Sequence, residues 1–355
     1  MKYNFSAGPA ILPKEVIEEA SNAVINYNNS GFSILEVSHR GKDFVQTMEE
    51  AKSLVRELFQ LTDDYEVLFL SGGASSQFYM VPMNILNDED EAGYVNTGVW
   101  ASGAIKEAKA YGKINVLASS ESSNFNHVPK GYDIPENLRY LHLTSNNTIY
   151  GTQLHQWPET DVSIVCDMSS DIFSRPIDIH KFGLIYAGAQ KNMGPAGTTL
   201  VVIRKDMLKG VNRYIPSMLK YETHIKGESM YNTPPVYPIY VSMLTLRWIK
   251  KMGGLTEMEK RNKAKAKVIY DAIDRSNIFS GHSVEEDRSL MNVSFKCKDK
   301  QVEDEFLKIC ETEGLDGLKG HRSVGGLRAS IYNAMEIETV KVLAELMNDF
   351  ENKKG

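Results

Sequence analysis

The chain has 355 residues, 42% of them hydrophobic and 24% charged, which is more than one hydrophobic core usually holds. With 46 acidic and 40 basic residues the net charge is −6, which excludes a nucleic-acid surface built on clustered positive charge. Three scattered cysteines, Cys166, Cys297 and Cys310, exclude a disulfide framework and a cysteine metal cluster; buried thiols are expected.

Residues 1–13 carry no basic segment followed by an apolar stretch of leader length, and no later apolar run approaches a membrane span. A soluble cytoplasmic protein with no membrane partner is therefore expected. Residues 15–60 have helical periodicity, with Val16, Ile17, Ala20 and Val24 on one face and then Val45, Met48, Ala51, Leu54, Val55 and Leu58 on another. A polar loop at 36–42 separates the two.

Beyond it, short apolar runs at 67–70, 93–96, 114–117, 138–143, 164–166 and 184–187 alternate with helical stretches, which predicts a mainly parallel sheet with helical crossovers. The run 198–203 follows after only a loop containing Gly and Pro, too short for a crossover, and is predicted antiparallel to its predecessor. An amphipathic segment at 238–251 stops at Gly253 and Gly254, and helical periodicity resumes over 255–275. The basic run 260–267, beside Glu257 and Glu259, reads as a solvated helix face. The remainder reads strand (290–296), helix (302–313), strand (327–332), helix (337–348). The predicted fold class is α/β, with a large domain over residues 15–254 and a smaller α+β domain made of 1–14 and 255–355.

The segment IYAGAQKNMGPAG, residues 185–197, puts Lys191 directly after a buried strand, in a loop of small residues. An ammonium there is costly unless it is neutralised or used. Two readings stay open: a lysine snorkelling to solvent, and one joined as an imine to a carbonyl cofactor. The strand at 164–166 ends in Asp167, and parallel neighbours bring their carboxyl ends to one edge. Asp167 is then either a helix cap or an anion facing the same pocket as Lys191, where it would pair with a protonated pyridine nitrogen.

The glycine turn in Leu70-Ser71-Gly72-Gly73-Ala74-Ser75-Ser76, with a helix start at Ser75 or Ser76, is either a plain strand-to-helix turn or a phosphate cradle. Trp100 is either core or a flat surface for a ring. His39, Arg40, His321, Arg322 and Arg328 lie in or beside polar or glycine-bearing loops, where solvated surface and recognition of carboxylate or phosphate both fit.

Taken together, NFSAGPAILP, SHRGKDF, SGGASSQF, NTGVWA, CDMSSDIFSRPID, GAQKNMGPAG, NTPPVYPIY and GLKGHRSVGGLRASIYNA resemble, nearly end to end, the phosphoserine aminotransferase family, a class V group of the fold-type I enzymes that use pyridoxal 5'-phosphate. The resemblance implies that Lys191 carries the cofactor and that Asp167 pairs with its ring nitrogen. It implies phosphate contacts from Gln190, Ala74 and Ser75, stacking by Trp100, and a contact of Thr148 near the ring hydroxyl. Asn232 and Thr233 would reach the phosphate bound by a partner subunit, which implies a homodimer with sites at the interface. Arg328 would hold the substrate α-carboxylate, while His39, Arg40, His321 and Arg322 would read the distal phosphate or carboxylate. Some members have arginine where this chain has Ser75, which lowers the positive charge offered to phosphate here.

The family's reaction is a ping-pong exchange between L-glutamate and 3-phosphohydroxypyruvate, on the route to serine; 4-phosphohydroxy-L-threonine, of vitamin B6 synthesis, is a candidate second substrate. Two alternatives compete with this reading. A desulfurase needs a nucleophilic cysteine on a mobile loop and commonly has histidine beside its lysine, where this chain has Gln190; Cys297 and Cys310 read as strand and helix positions. A catalytically silent scaffold would have no need of these residue types together.

Overall fold

A computed structural model describes residues 2–354. Helices α1 (Lys14–Asn26) and α2 (Lys42–Phe59) form where the periodicity places them, but α1 buries Val16, Ala20 and Ala23 and leaves Ile17 52% exposed. The expected stripe is thus rotated by about one residue.

Seven strands form the main sheet: β1 (Tyr65–Leu70), β2 (Glu91–Asn96), β3 (Lys113–Ser119), β4 (Tyr140–Thr144), β5 (Ile164–Asp167), β6 (Phe182–Gly188) and β7 (Thr199–Arg204). Their order is β1-β7-β6-β5-β4-β2-β3. Strand β7 is antiparallel to both neighbours, and the other pairs are parallel. The short loop after β6 returns the chain at once, as the sequence requires. Because β7 is reversed between β1 and β6, those two run the same way, and the carboxyl ends of β1, β2, β4, β5 and β6 share one edge.

Helices α3 (Gly73–Ile85) and α4 (Val99–Ala108) follow β1 and β2. The expected helical crossovers are absent elsewhere: β3 to β4 and β5 to β6 are joined by turns and single 3-10 turns, Glu121–Ser123 and Ile179–Lys181. Proline explains this, since Pro129, Pro135 and Pro176 interrupt both segments.

Helix α5 (Val236–Lys251) packs on α1 and α2 over one sheet face. Helix α6 (Gly254–Asp274) then leads into an antiparallel sheet of β8 (Phe279–Gly281), β9 (Asn292–Cys297) and β10 (Leu327–Ser330), in that order, with α7 (Lys300–Thr312) and α8 (Ile337–Lys354). These elements share a core with Phe5, and Tyr3–Asn4 pairs in parallel with Leu315–Asp316. The solvated-face reading of 260–267 needs correction at one position: Lys265 is 1% exposed, with its ammonium on two backbone carbonyls. Cys166 and Cys310 are buried and Cys297 partly so, all as free thiols. No helix among the described residues is long and apolar enough to cross a membrane.

Candidate active site

The strand ends on one sheet edge gather the residues singled out above. Asp167 is the last residue of β5 and pairs in register with Tyr186 of β6; Lys191 follows the end of β6 by three residues. The Lys191 Nζ donates to Thr148 Oγ1 at 2.6 Å and lies 5.7 Å from the centre of the Trp100 ring. Trp100 is the second residue of α4, and Thr148 follows β4 by four residues. The amino-terminal segment packs over the lysine stem: a Cβ on Gly8 would sit 3.4 Å from Lys191 Cγ, and the Ala10 N–H donates to the Gln190 carbonyl at 2.9 Å.

Asp167 is 5% exposed. Burial raises its pKa above the usual carboxylate range, opposed by hydrogen bonds from Ser169 and by the charge of Lys191. Ser169 donates to Oδ1 through both its N–H, at 2.9 Å, and its hydroxyl, at 2.6 Å. The same hydroxyl accepts from the Gly188 N–H at 3.1 Å, which ties the carboxylate to the end of β6. Both bonds end on Oδ1, which leaves Oδ2 for a further donor. Neither Ser169 nor this tie was singled out from the sequence, although Asp followed two residues later by Ser is the pattern of an Asx turn.

Burial also acts on Lys191, lowering its pKa to about 8, with Asp167 opposing the shift and Arg328 adding to it. A lysine with an ordinary pKa near 10.4 is almost wholly protonated at neutral pH, whereas this amine is half neutral near pH 8. In cofactor-free protein, labelling of Lys191 by an amine-directed reagent is therefore expected to rise with a midpoint of about 8, because only the neutral amine reacts. Peptide mapping across a pH series measures it; a midpoint in the ordinary lysine range would contradict the desolvation.

Helix α3 starts at Gly73, two or three residues earlier than expected, and no side chain caps its first turn. Its N-cap Gly72 has φ +102, and a Cβ there would lie 2.6 Å from Ser76 Oγ. The first-turn amides of Ala74 and Ser75 thus face outward at the positive end of a helix, an arrangement that binds anions. Gln190 folds back on the strand end, its Oε1 2.7 Å from where a Gly188 Cβ would sit.

Arg328 is the second residue of β10, opposite Ser294 of β9. Its Nη1 reaches the Thr148 carbonyl at 3.5 Å, while its Nε is buried without a partner. Burial lowers its pKa from the ordinary arginine value. His321 and Arg322 lie in the loop before β10; the His321 Nδ1 meets the Ser323 hydroxyl at 2.9 Å, and burial, with Arg328 and Arg322, lowers its pKa. No hydrogen bond or ion pair among the described residues joins His39, Arg40, Asn232 or Thr233 to this group. Arg40, Asn232 and Thr233 are exposed, and His39 keeps a buried, unpartnered Nε2.

An amine, a buried carboxylate with one free oxygen, an aromatic face, an uncapped helix start and a guanidinium with an orphaned N–H thus share one region. This donor set fits a cofactor bearing a carbonyl, a basic ring nitrogen and a phosphate.

The aminotransferase class-V family model matches residues 2–343. The chain is 56% identical over 353 residues to the phosphoserine aminotransferase of Flavobacterium psychrophilum, covering 99% of each. Phosphoserine aminotransferase from Bacillus circulans subsp. alkalophilus superposes with a TM-score of 0.97 at 48% identity, covering 100% of this chain and 99% of that one. The PLP-bound phosphoserine aminotransferase of Trichomonas vaginalis superposes with a TM-score of 0.93 at 39% identity, covering 98% of this chain and 100% of that one.

Proposed function

The chain belongs to the class-V aminotransferase family, and from that premise we propose that it is a pyridoxal phosphate-dependent phosphoserine aminotransferase. It exchanges an amino group between L-glutamate and 3-phosphohydroxypyruvate, giving 2-oxoglutarate and O-phospho-L-serine. The observation that carries this reading is the Lys191 amine, desolvated and 2.6 Å from Thr148 Oγ1, on the same sheet edge as Asp167.

Pyridoxal phosphate supplies an electron sink for the charge left on the substrate carbon when its α-proton departs. Lys191 would anchor the cofactor through its carbonyl group, and its amine, with a pKa lowered to about 8, would carry the α-proton in both directions. Asp167 would keep the ring nitrogen positive through its free oxygen, and Ser169 fixes the carboxylate's orientation. Ala74, Ser75 and Gln190 would hold the phosphate and Trp100 would stack on the ring, while Thr148, which accepts from the Lys191 amine, would lie near the ring hydroxyl. Arg328 holds the substrate α-carboxylate with forked donors. His321 and Arg322, with His39 and Arg40, read the distal phosphate or carboxylate; both anions accept the same donor fork, so one pocket serves both substrates in turn.

A homodimer follows from the same reading. Asn232 and Thr233 are exposed, as phosphate ligands for a second copy would be, and the Asn232 amide donates only to the adjacent Thr233 carbonyl, at 3.2 Å. Ile25, 76% exposed, and Ile17, 52% exposed, line one groove with Leu12, Val24 and Tyr237, an apolar surface that a second subunit would cover. Three free thiols suit a reducing compartment, and we place the enzyme in the cytoplasm.

Purified protein supplied with pyridoxal phosphate should release no more than about one equivalent of 2-oxoglutarate per site with glutamate alone, and should turn over continuously only when 3-phosphohydroxypyruvate is also present. Turnover with unphosphorylated keto acids alone would contradict the proposal, and 4-phosphohydroxy-L-threonine assayed alongside tests the second substrate. The Arg328→Ala variant is expected to raise the KM for glutamate about 10- to 100-fold, the value of a charge-assisted bond. An unchanged KM would remove the carboxylate role.

A further inference from the structure

Three asparagines and a lysine lie behind the site, outside every role assigned above. Asn192 follows Lys191; its Nδ2 donates to the Ile172 carbonyl at 2.9 Å, and its Oδ1 accepts the Asn333 backbone N–H at 2.9 Å. The Asn333 side chain donates to the Phe173 carbonyl at 2.9 Å and accepts from Asn262 Nδ2 at 2.8 Å. Asn262 Nδ2 also reaches the Ser174 carbonyl at 3.1 Å. One turn along α6, the Lys265 Nζ donates to the carbonyls of Ile331, at 2.9 Å, and Tyr332, at 2.5 Å. Exposures are 0% for Asn262, 1% for Lys265 and Asn333, and 4% for Asn192.

The segments joined are those that carry the chemistry. Residues 172–174 lie on the turn that follows Asp167, Asn192 adjoins Lys191, and residues 331–333 leave the end of β10, the strand of Arg328. The bonds cross between the core of the main sheet, which contains Ile172 and Phe173, and the core that contains Ile331. Apolar packing tolerates sliding, whereas buried amides lose their partners if the register shifts, so this contact admits one alignment. Arg328 needs such support, because its own polar contact is a single bond at 3.5 Å and its Nε has no partner.

We infer that Asn192, Asn333, Asn262 and Lys265 form a positioning bridge that sets the Arg328 guanidinium at a fixed place relative to the Lys191 amine. The substrate, held by its carboxylate, then presents its α-carbon to the amine in one geometry; misplacement of about 1 Å in such a pair costs on the order of 100-fold. The inference rests on the reading of Arg328 as the carboxylate clamp.

A double-mutant cycle on the holoenzyme tests it, with Asn333→Ala and Arg328→Ala made singly and together. Two quantities are measured: the KM for glutamate, and the dissociation constant of α-methylglutamate, which lacks the α-proton, from the visible absorption of the bound cofactor. Asn333→Ala is expected to raise both about 10-fold when Arg328 is present, and to change them less than about twofold in the Arg328→Ala background. Equal weakening in both backgrounds would show general loosening and overturn the bridge, as would an Asn333→Ala enzyme that binds like the wild type. If Arg328→Ala alone binds α-methylglutamate normally, the clamp reading itself fails and takes the bridge with it. Should Asn333→Ala not fold, the same cycle is run with Asn262→Ala on the helix side, where the same outcomes decide.

Discussion

Replacing Lys191 by alanine is expected to lower the transamination rate by at least about 10⁴-fold, since one amine serves as both covalent anchor and proton carrier. Neither function has an understudy at the sheet edge. Lys265, the other lysine with a strongly lowered pKa, points its ammonium at the Ile331 and Tyr332 carbonyls. The fold should survive the change, because the amine is desolvated at a cost and its one hydrogen bond goes to Thr148. Single-turnover measurement with glutamate checks the prediction, and added methylamine should restore part of the rate by supplying a mobile base. A variant that kept more than about a tenth of the wild-type rate would show that another group moves the proton.

The Asp167→Asn variant is expected to be slower by about 10²- to 10³-fold, the loss typical of one preorganised electrostatic partner removed from a desolvated site. The amide matches the carboxylate in size, and its oxygen still accepts from Ser169, so packing and the turn at 167–169 persist. What disappears is the negative charge that keeps a ring nitrogen protonated. The pH response should differ from that of the wild type. Burial raises the Asp167 pKa in the cofactor-free protein, so the charge that receives the ring nitrogen, and with it cofactor uptake and the activity that follows, is lost as pH falls through that raised value. The variant has no such carboxylate and should lack that acid limb. Rates across a pH series decide: an Asp167→Asn enzyme with wild-type speed and the same acid limb would exclude the role.

Much of this site was legible because chemistry falls at strand ends, and strand ends are punctuated. An apolar run closed by Asp167, and another closed by small residues and Lys191, locate one edge of a parallel sheet without any coordinates. The return of β7 was equally plain, since a loop of Gly and Pro is too short for a crossover. Contacts between distant segments were not legible. The Asn192, Asn333 and Asn262 contacts join residues that no local pattern relates.

The burial of Lys265 is hidden in the sequence for a different reason. A run of basic residues suggests solvent, yet Asn262, Lys265, Ala266, Ile269 and Ile273 all lie on the buried side of α6. The apolar members of that stripe marked its direction, and the charge of one member hid it. The missing crossover helices show the opposite error, where an alternation rule overrode prolines already visible at 129, 135 and 176. His39, Arg40, Asn232 and Thr233 stand apart again, because the roles proposed for them depend in part on a second subunit.

The most direct test is chemical. Holoenzyme treated with borohydride, digested and mapped by mass spectrometry should carry the reduced cofactor on the peptide that contains Lys191. Cofactor fixed to Lys265 or any other lysine, or none retained by a protein that transaminates, would contradict the assignment.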